Sequence, residues 1–119
     1  MTFDPAKALV SYHAALDGQD LKAVAAYLAP DARYVSVGLG DVTGRDAILA
    51  AMAKYFEASA DHQAFDDVVR AVSSHVAESK WRLRATNKIT GEVIERRGLE
   101  TVRFNGDGKI VLISVEDWP

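Results

Sequence analysis

The last third of the chain, residues 80–118, constrains the fold most. Three strand-like runs follow one another there, at 80–86, 98–104 and 109–118. In each, apolar and polar residues alternate with the period of two that sends successive side chains to opposite faces of a sheet. Ile89-Thr90-Gly91 and Asn105-Gly106-Asp107-Gly108 separate the runs with turn-forming residues. The stretch therefore predicts consecutive antiparallel hairpins with one buried face. A sheet buried on one face needs a second layer. Glu100 is the anomaly, because it shares its face with Val102 and Phe104. A carboxylate on a core face is costly unless it is paired or protonated.

The preceding residues can supply the second layer. Asp4-Pro5 reads as an N-cap followed by proline at the first helical position, where no N–H is needed. Leu9, Tyr12 and Leu16 then recur at helical spacing with Ala8 and Ala15 beside them, and Gly18 ends the run. Asp20 caps a second helix in which Leu21, Val24, Ala25 and Leu28 share a face, closed by Ala29-Pro30-Asp31. Residues 32–37 alternate as a first strand, and Gly38-Leu39-Gly40-Asp41 forms a loop. Thr43-Gly44-Arg45-Asp46 matches a capping box and opens a third helix, with Ile48, Met52, Tyr55 and Phe56 as its apolar stripe, running to about Ser59. Strands over 65–73 and 76–87 lead into the closing hairpins. The order is helix, helix, strand, helix, then four strands. It predicts an α+β fold in which helices pack on one face of a curved, mostly antiparallel sheet.

At 119 residues the chain is expected to form one domain spanning 1–119. The N-terminus lacks a basic segment followed by an apolar one, so no signal peptide and a cytoplasmic address are expected. No stretch approaches the length of a membrane span. The absence of cysteine removes disulfides, thiolate nucleophiles and cysteine-based zinc sites. A net charge of -3 argues against a nucleic-acid partner. Lys80, Arg82 and Arg84 share a strand face, with Arg97 and Arg103 expected nearby; interleaved Glu78 and Glu95 make this a solvated face or a contact between copies. His13, His62 and His75 are too scattered for a metal site and are expected at the surface. Gly38-Leu39-Gly40 lacks the lysine and the context of a phosphate loop.

The element order resembles the cystatin-like α+β roll (cone) of the nuclear transport factor 2 superfamily, especially its bacterial SnoaL-like and ketosteroid-isomerase-like members. The resemblance rests on 12–20 (Tyr-His-Ala-Ala-Leu-Asp-Gly-Gln-Asp), 28–32 (Leu-Ala-Pro-Asp-Ala), 44–48 (Gly-Arg-Asp-Ala-Ile), Val102-Arg103-Phe104 and Asp107-Gly108-Lys109-Ile110. It implies a cavity between helices and sheet, binding of a small apolar ligand, and a homodimer packed through the sheets. This scaffold hosts isomerases, cyclases, dehydratases, epoxide hydrolases and non-catalytic proteins, so the reaction must be argued from the site.

Ketosteroid isomerases carry a tyrosine on the first helix, a general-base aspartate on the first strand and a protonated aspartic acid on a late strand. The resemblance places Tyr12, Ser36 and Glu100 at those positions. Serine cannot act as the base near neutral pH. The implied reading is a cofactor-independent enzyme, metal-free, that isomerises, cyclises or dehydrates a small apolar carbonyl compound. In it, Tyr12 and a protonated Glu100 polarise the carbonyl, and Ser36 or water orients the substrate. Asp117 is a further candidate carboxylate, though its place near the chain end favours solvent. Tyr34, Met52, Phe56, Trp81, Leu83, Val102 and Phe104 are the candidate ligand-lining residues. The alternatives are a non-catalytic binding or interaction module, and an enzyme like the limonene epoxide hydrolases, whose arginine and aspartate pairing on the closing strand this sequence lacks.

Overall fold

The computed structural model describes residues 2–119. Helix α1 (Pro5–Asp17) begins as the sequence predicts, with the Asp4 carboxylate accepting a hydrogen bond from the Lys7 N–H at 3.1 Å. Asp20 caps α2 (Leu21–Ala25) in the same way, through the Ala23 N–H at 3.1 Å. Helix α2 is shorter than its apolar spacing suggested. Leu28 and the Ala29-Pro30-Asp31 segment belong instead to strand β1 (Leu28–Ser36). Pro30 is accommodated because β1 shifts register against its parallel neighbour between Leu28 and Arg33, so the residue without an N–H lies outside the regular ladder.

Gly40, Asp41, Val42 and Thr43 form a short strand, β2 (Gly40–Thr43), which folds back on β1 with Thr43 opposite Arg33. This adds one strand to the expected count. It also takes Thr43 out of the capping role, and Gly44 becomes the N-cap of α3 (Arg45–Ala58) with φ 99° and no side-chain cap. A left-handed φ of that kind is open to glycine at little cost. Helix α3 buries Ile48, Met52 and Phe56.

Four strands follow: β3 (Gln63–Ser73), β4 (Val76–Thr86), β5 (Val93–Phe104) and β6 (Ile110–Asp117). Strand β5 starts earlier than the alternation at 98 indicated. Asn87 causes this, since its Oδ1 accepts from the Ile89 and Thr90 N–H groups at 2.9 and 3.1 Å, and its own N–H donates to the Glu92 carbonyl at 2.9 Å. The hairpin therefore closes at Thr86 opposite Val93.

The sheet order is β2-β1-β6-β5-β4-β3; β1 and β6 run parallel and every other pair is antiparallel. The helices cover one face, where Leu9, Tyr12, Val24 and Ile48 meet Ala77, Val102, Phe104 and Ile113 in the core. This is the α+β cone. Its other face carries Lys80, Arg82, Arg84, Arg97 and Arg103, all exposed. Among the described residues no helix is long and apolar enough to cross a membrane.

Two irregularities shape the inner face. In β3, Asp66 is opposite Trp81 but Val68 is opposite Lys80, so Asp67 is an extra residue in a bulge. Before the bulge Ala64 and Asp66 face inward; after it Val69 does, opposite Ser79. In β5, Gly98 lies where a Cβ would come within 1.7 Å of the Glu116 carbonyl oxygen and 3.0 Å of the Trp81 ring. Only glycine admits that approach of β6.

Candidate functional site

Helix α1 presents two faces to the interior. Leu9 and Tyr12 enter the core, and His13, about 100° further round, turns with Leu16 and Asp17 towards a cavity of about 120 Å³. Its walls come from α3 (Met52, Tyr55, Phe56), from the end of β1 and the following turn (Tyr34, Ser36, Leu39), and from the inner sheet face. They are mainly apolar, and the polar groups form two clusters.

The first cluster is centred on His13. Its Nδ1 lies 2.6 Å from Asp66 Oδ2 and its Nε2 lies 2.6 Å from Glu100 Oε1. An imidazole ring donates from both nitrogens only when protonated. Burial opposes that charge, but the Glu100 charge, the hydrogen bonds to Asp66 and Glu100, and the Asp66 charge together outweigh it and raise the His13 pKa to about 10. The sheet register makes the clamp. Asp66 on β3 and Glu100 on β5 face inward on either side of β4, and the helix lowers one ring between them. The Ser79 hydroxyl adds a long contact to the same Glu100 oxygen at 3.4 Å. Both bonds to Glu100 fall on Oε1, which leaves Oε2 to the cavity that Glu100 lines.

The second cluster is centred on Arg96. Its Nε and Nη2 donate to Asp117 at 2.6 and 2.8 Å in a bidentate pair. Its guanidinium carbon is 5.8 Å from the centre of the Trp81 ring, and its Nη1 packs so close to Gly38 that a Cβ there would be 2.9 Å away. Burial first, then the Glu100 charge, raises the Tyr34 pKa, while Arg96 acts in the opposite direction, so Tyr34 lies under the influence of both clusters. Beside them the Tyr55 hydroxyl and His62 Nδ1 share a hydrogen bond at 2.6 Å. Burial lowers the His62 pKa against the pull of Asp61, which suits a neutral, accepting ring.

The sequence-predicted residues divide sharply. Glu100, Ser36, Tyr34, Met52, Phe56, Trp81 and Leu83 line the cavity. The Ser36 hydroxyl is engaged by the turn, accepting from the Leu39 N–H at 2.9 Å. Tyr12 does not face Glu100 across the cavity. It is fully buried, its hydroxyl has no partner, and its neighbour His13 takes the place expected for it. Val102 and Phe104 pack in the core rather than in the cavity wall. Asp117 is neither in solvent nor in the wall; it is the half-buried anchor of Arg96. His13 and His62, expected at the surface, are both cavity residues, while Arg96 was not singled out. The buried Glu100 was itself the available signal for His13, since an inward carboxylate that is not protonated needs a partner, and His13 is a cation-forming residue on the facing helix.

The model of the SnoaL-like domain matches residues 9–113. The chain belongs to the SnoaL-like family. A comparison with curated protein sequences finds no match. Among solved structures, this SnoaL-like chain is similar to an NTF2-like protein from Burkholderia thailandensis, with TM-score 0.85 and 21% identity over 98% of this chain and 92% of that one. It is also similar to the Delta 5-3-ketosteroid isomerase from Mycobacterium sp., with TM-score 0.82 and 18% identity over 98% and 95% of the two chains. A third similar structure is RV0760c from Mycobacterium tuberculosis in complex with estradiol-17beta-hemisuccinate, with TM-score 0.83 and 20% identity over 98% and 95%. At these identities the structural likeness establishes the fold alone.

Proposed function

We propose that this SnoaL-like protein binds a small, mainly apolar carbonyl compound and moves a proton on it without a cofactor, with Glu100 as the base. The observation that carries this reading is the unshared Oε2 of a buried carboxylate facing an apolar cavity while His13 holds Oε1. A carboxylate held by an imidazolium through one oxygen keeps the lone pairs of the other free to accept. The role assigned to Glu100 thus changes from a hydrogen-bond-donating acid to a proton acceptor. Glu100 Oε2 takes a proton from the carbon next to the carbonyl, the electron pair moves onto the carbonyl oxygen as an enolate, and the Glu100 acid returns the proton to the same or a conjugated carbon. His13 and Asp66 are positioning residues, and Ser36 is not needed as a base.

Cavity size narrows the ligand. Pockets for drug-sized molecules usually span roughly 300–1,000 Å³, and an engineered apolar cavity of roughly 150 Å³ takes benzene. With about 120 Å³, this site as it stands suits one ring or a short chain rather than the steroids named for two of its structural neighbours.

The test is exchange of the α-hydrogens of a cyclic ketone with solvent deuterium, followed by NMR. Wild type should accelerate exchange, and Glu100→Gln should lose about 10²- to 10⁴-fold, the usual contribution of a positioned base. Equal exchange by the two proteins would end the catalytic reading. A second reading, binding without turnover, is favoured by Ser36, which the resemblance matches to the base of the isomerases and whose oxygen accepts from the Leu39 N–H. Saturable ligand binding without exchange would support it.

A further inference from the structure

We infer that Arg96 is the carbonyl-binding residue of this cavity and that Arg96 and Asp117 together select a neutral ligand over its carboxylate analogue. The inference rests on the cavity reading above and adds the ligand's orientation and charge.

Arg96 is held as a pre-set donor. Asp117 occupies Nε and Nη2, and neither of those bonds uses Nη1. The Nη1 edge lies against Gly38, at a point of the wall where a methyl group would collide with it. A guanidinium immobilised by a bidentate carboxylate spends little further side-chain entropy when it accepts a ligand. Trp81 lines the cavity next to Arg96 and is 8% exposed, but its Nε1–H is buried without a partner, so Arg96 is the donor that the wall offers at this end. The Arg96 donor therefore sits at one end of the cavity, and the Glu100 acceptor sits one inward position further along β5 from Gly98, the residue opposite Trp81.

Charge selects the class of oxygen. The two clusters hold two cationic side chains, His13 and Arg96, against three acidic ones, Asp66, Glu100 and Asp117. That leaves one net negative charge, and Asp17 adds a further carboxylate to the lining. A ligand carboxylate entering this low-dielectric space meets net repulsion, whereas a ketone, enone or lactone carbonyl brings an acceptor without a charge. Its orientation follows: carbonyl oxygen to Arg96, acidic carbon to Glu100. Charge that develops on the oxygen as the proton leaves is then met by the guanidinium.

The test compares three probes of one shape, cyclohexanone, cyclohexane carboxylate and methylcyclohexane, by calorimetry or ligand-observed NMR. Wild type should prefer cyclohexanone to both others. The double variant Arg96→Met with Asp117→Asn, which avoids leaving a lone carboxylate, should weaken cyclohexanone by about tenfold or more, the value of a hydrogen bond to a charged group, and leave methylcyclohexane unchanged. Tighter binding of the carboxylate than of the ketone by wild type overturns the inference, as does an equal loss of ketone and hydrocarbon in a folded variant. If the double variant does not fold, the wild-type preference still decides. The outcomes separate from those of the proposed reaction. Ketone selectivity lost with Arg96 but no deuterium exchange in wild type sinks the reaction and keeps the inference, and exchange with no ketone preference does the reverse.

Discussion

Asp66 and Asp67 are consecutive carboxylates on β3 with opposite fates. Asp66 turns inward to His13 at 2.6 Å, and Asp67 turns outward to Arg82 at 2.9 Å. The inward pair belongs to a three-member clamp whose His13, Asp66 and Glu100 side chains are 13%, 26% and 8% exposed. The outward pair is 48% and 60% exposed, with Arg82 also lying over the Phe65 ring at 5.1 Å. The bond lengths are nearly equal, so distance does not distinguish them. What differs is the alternative each group has when its partner is removed. Asp67 and Arg82 return to water, but Glu100 would be left as a largely buried charge against an apolar cavity.

The comparison is broken most forcefully at its centre. Replacing His13 by Ala leaves Glu100 buried without a cation, and the unfolding free energy from urea titration should fall by about 3–5 kcal/mol. A loss as small as that of a surface pair would mean that the clamp is solvated. Next in size is the pH response. The folded-state pKa of His13 is raised from 6.5 to about 10, so its stabilising contribution is complete below about pH 6.5 and is lost as pH rises towards 10. Urea midpoints measured over that window should decline in wild type and stay flatter in His13→Ala; parallel curves would show that His13 is not the titrating group. Tyr12→Phe comes third and moves the other way. Because the Tyr12 hydroxyl is buried without a partner, its removal should leave stability unchanged or raise it by about 1 kcal/mol, with deuterium exchange unaffected. A large loss of exchange would restore Tyr12 to the site. The smallest effect belongs outside: Asp67→Asn should cost less than about 1 kcal/mol and less still at high salt.

The fold was readable because its signals are local and repeated. Alternation in the last third, the Asp4 and Asp20 caps and the α3 stripe each pointed to the element that forms. The exceptions trace to particular competitions. Leu28 fits a helical face but pairs with Ile110 once β6 is present, and Thr43 has a capping-box partner but is claimed by the β2 ladder. Neither tertiary partner is visible from the neighbouring residues. In the site, Glu100 was legible because a carboxylate among Val102 and Phe104 breaks an apolar pattern. His13 was not, because it stands beside a stronger signal, the Leu9 and Tyr12 stripe, and a helix can turn one face to the core and the next to a cavity. Arg96 was missed because it precedes the regular alternation, in the part of β5 that exists only through the Asn87 turn.

The bulge at Asp67 has a consequence for how this protein can change. Ahead of the extra residue β3 contributes Ala64 and Asp66 to the cavity, and behind it Val69 packs against the core. The inserted position is a phase shift between two sentences written on one strand. Substitutions at 67 leave both readable, but a one-residue deletion puts the halves out of step, so that either the clamp loses Asp66 or the core loses Val69. A change of length at this point therefore costs this chain one of the two, while a change of side chain at 67 costs neither.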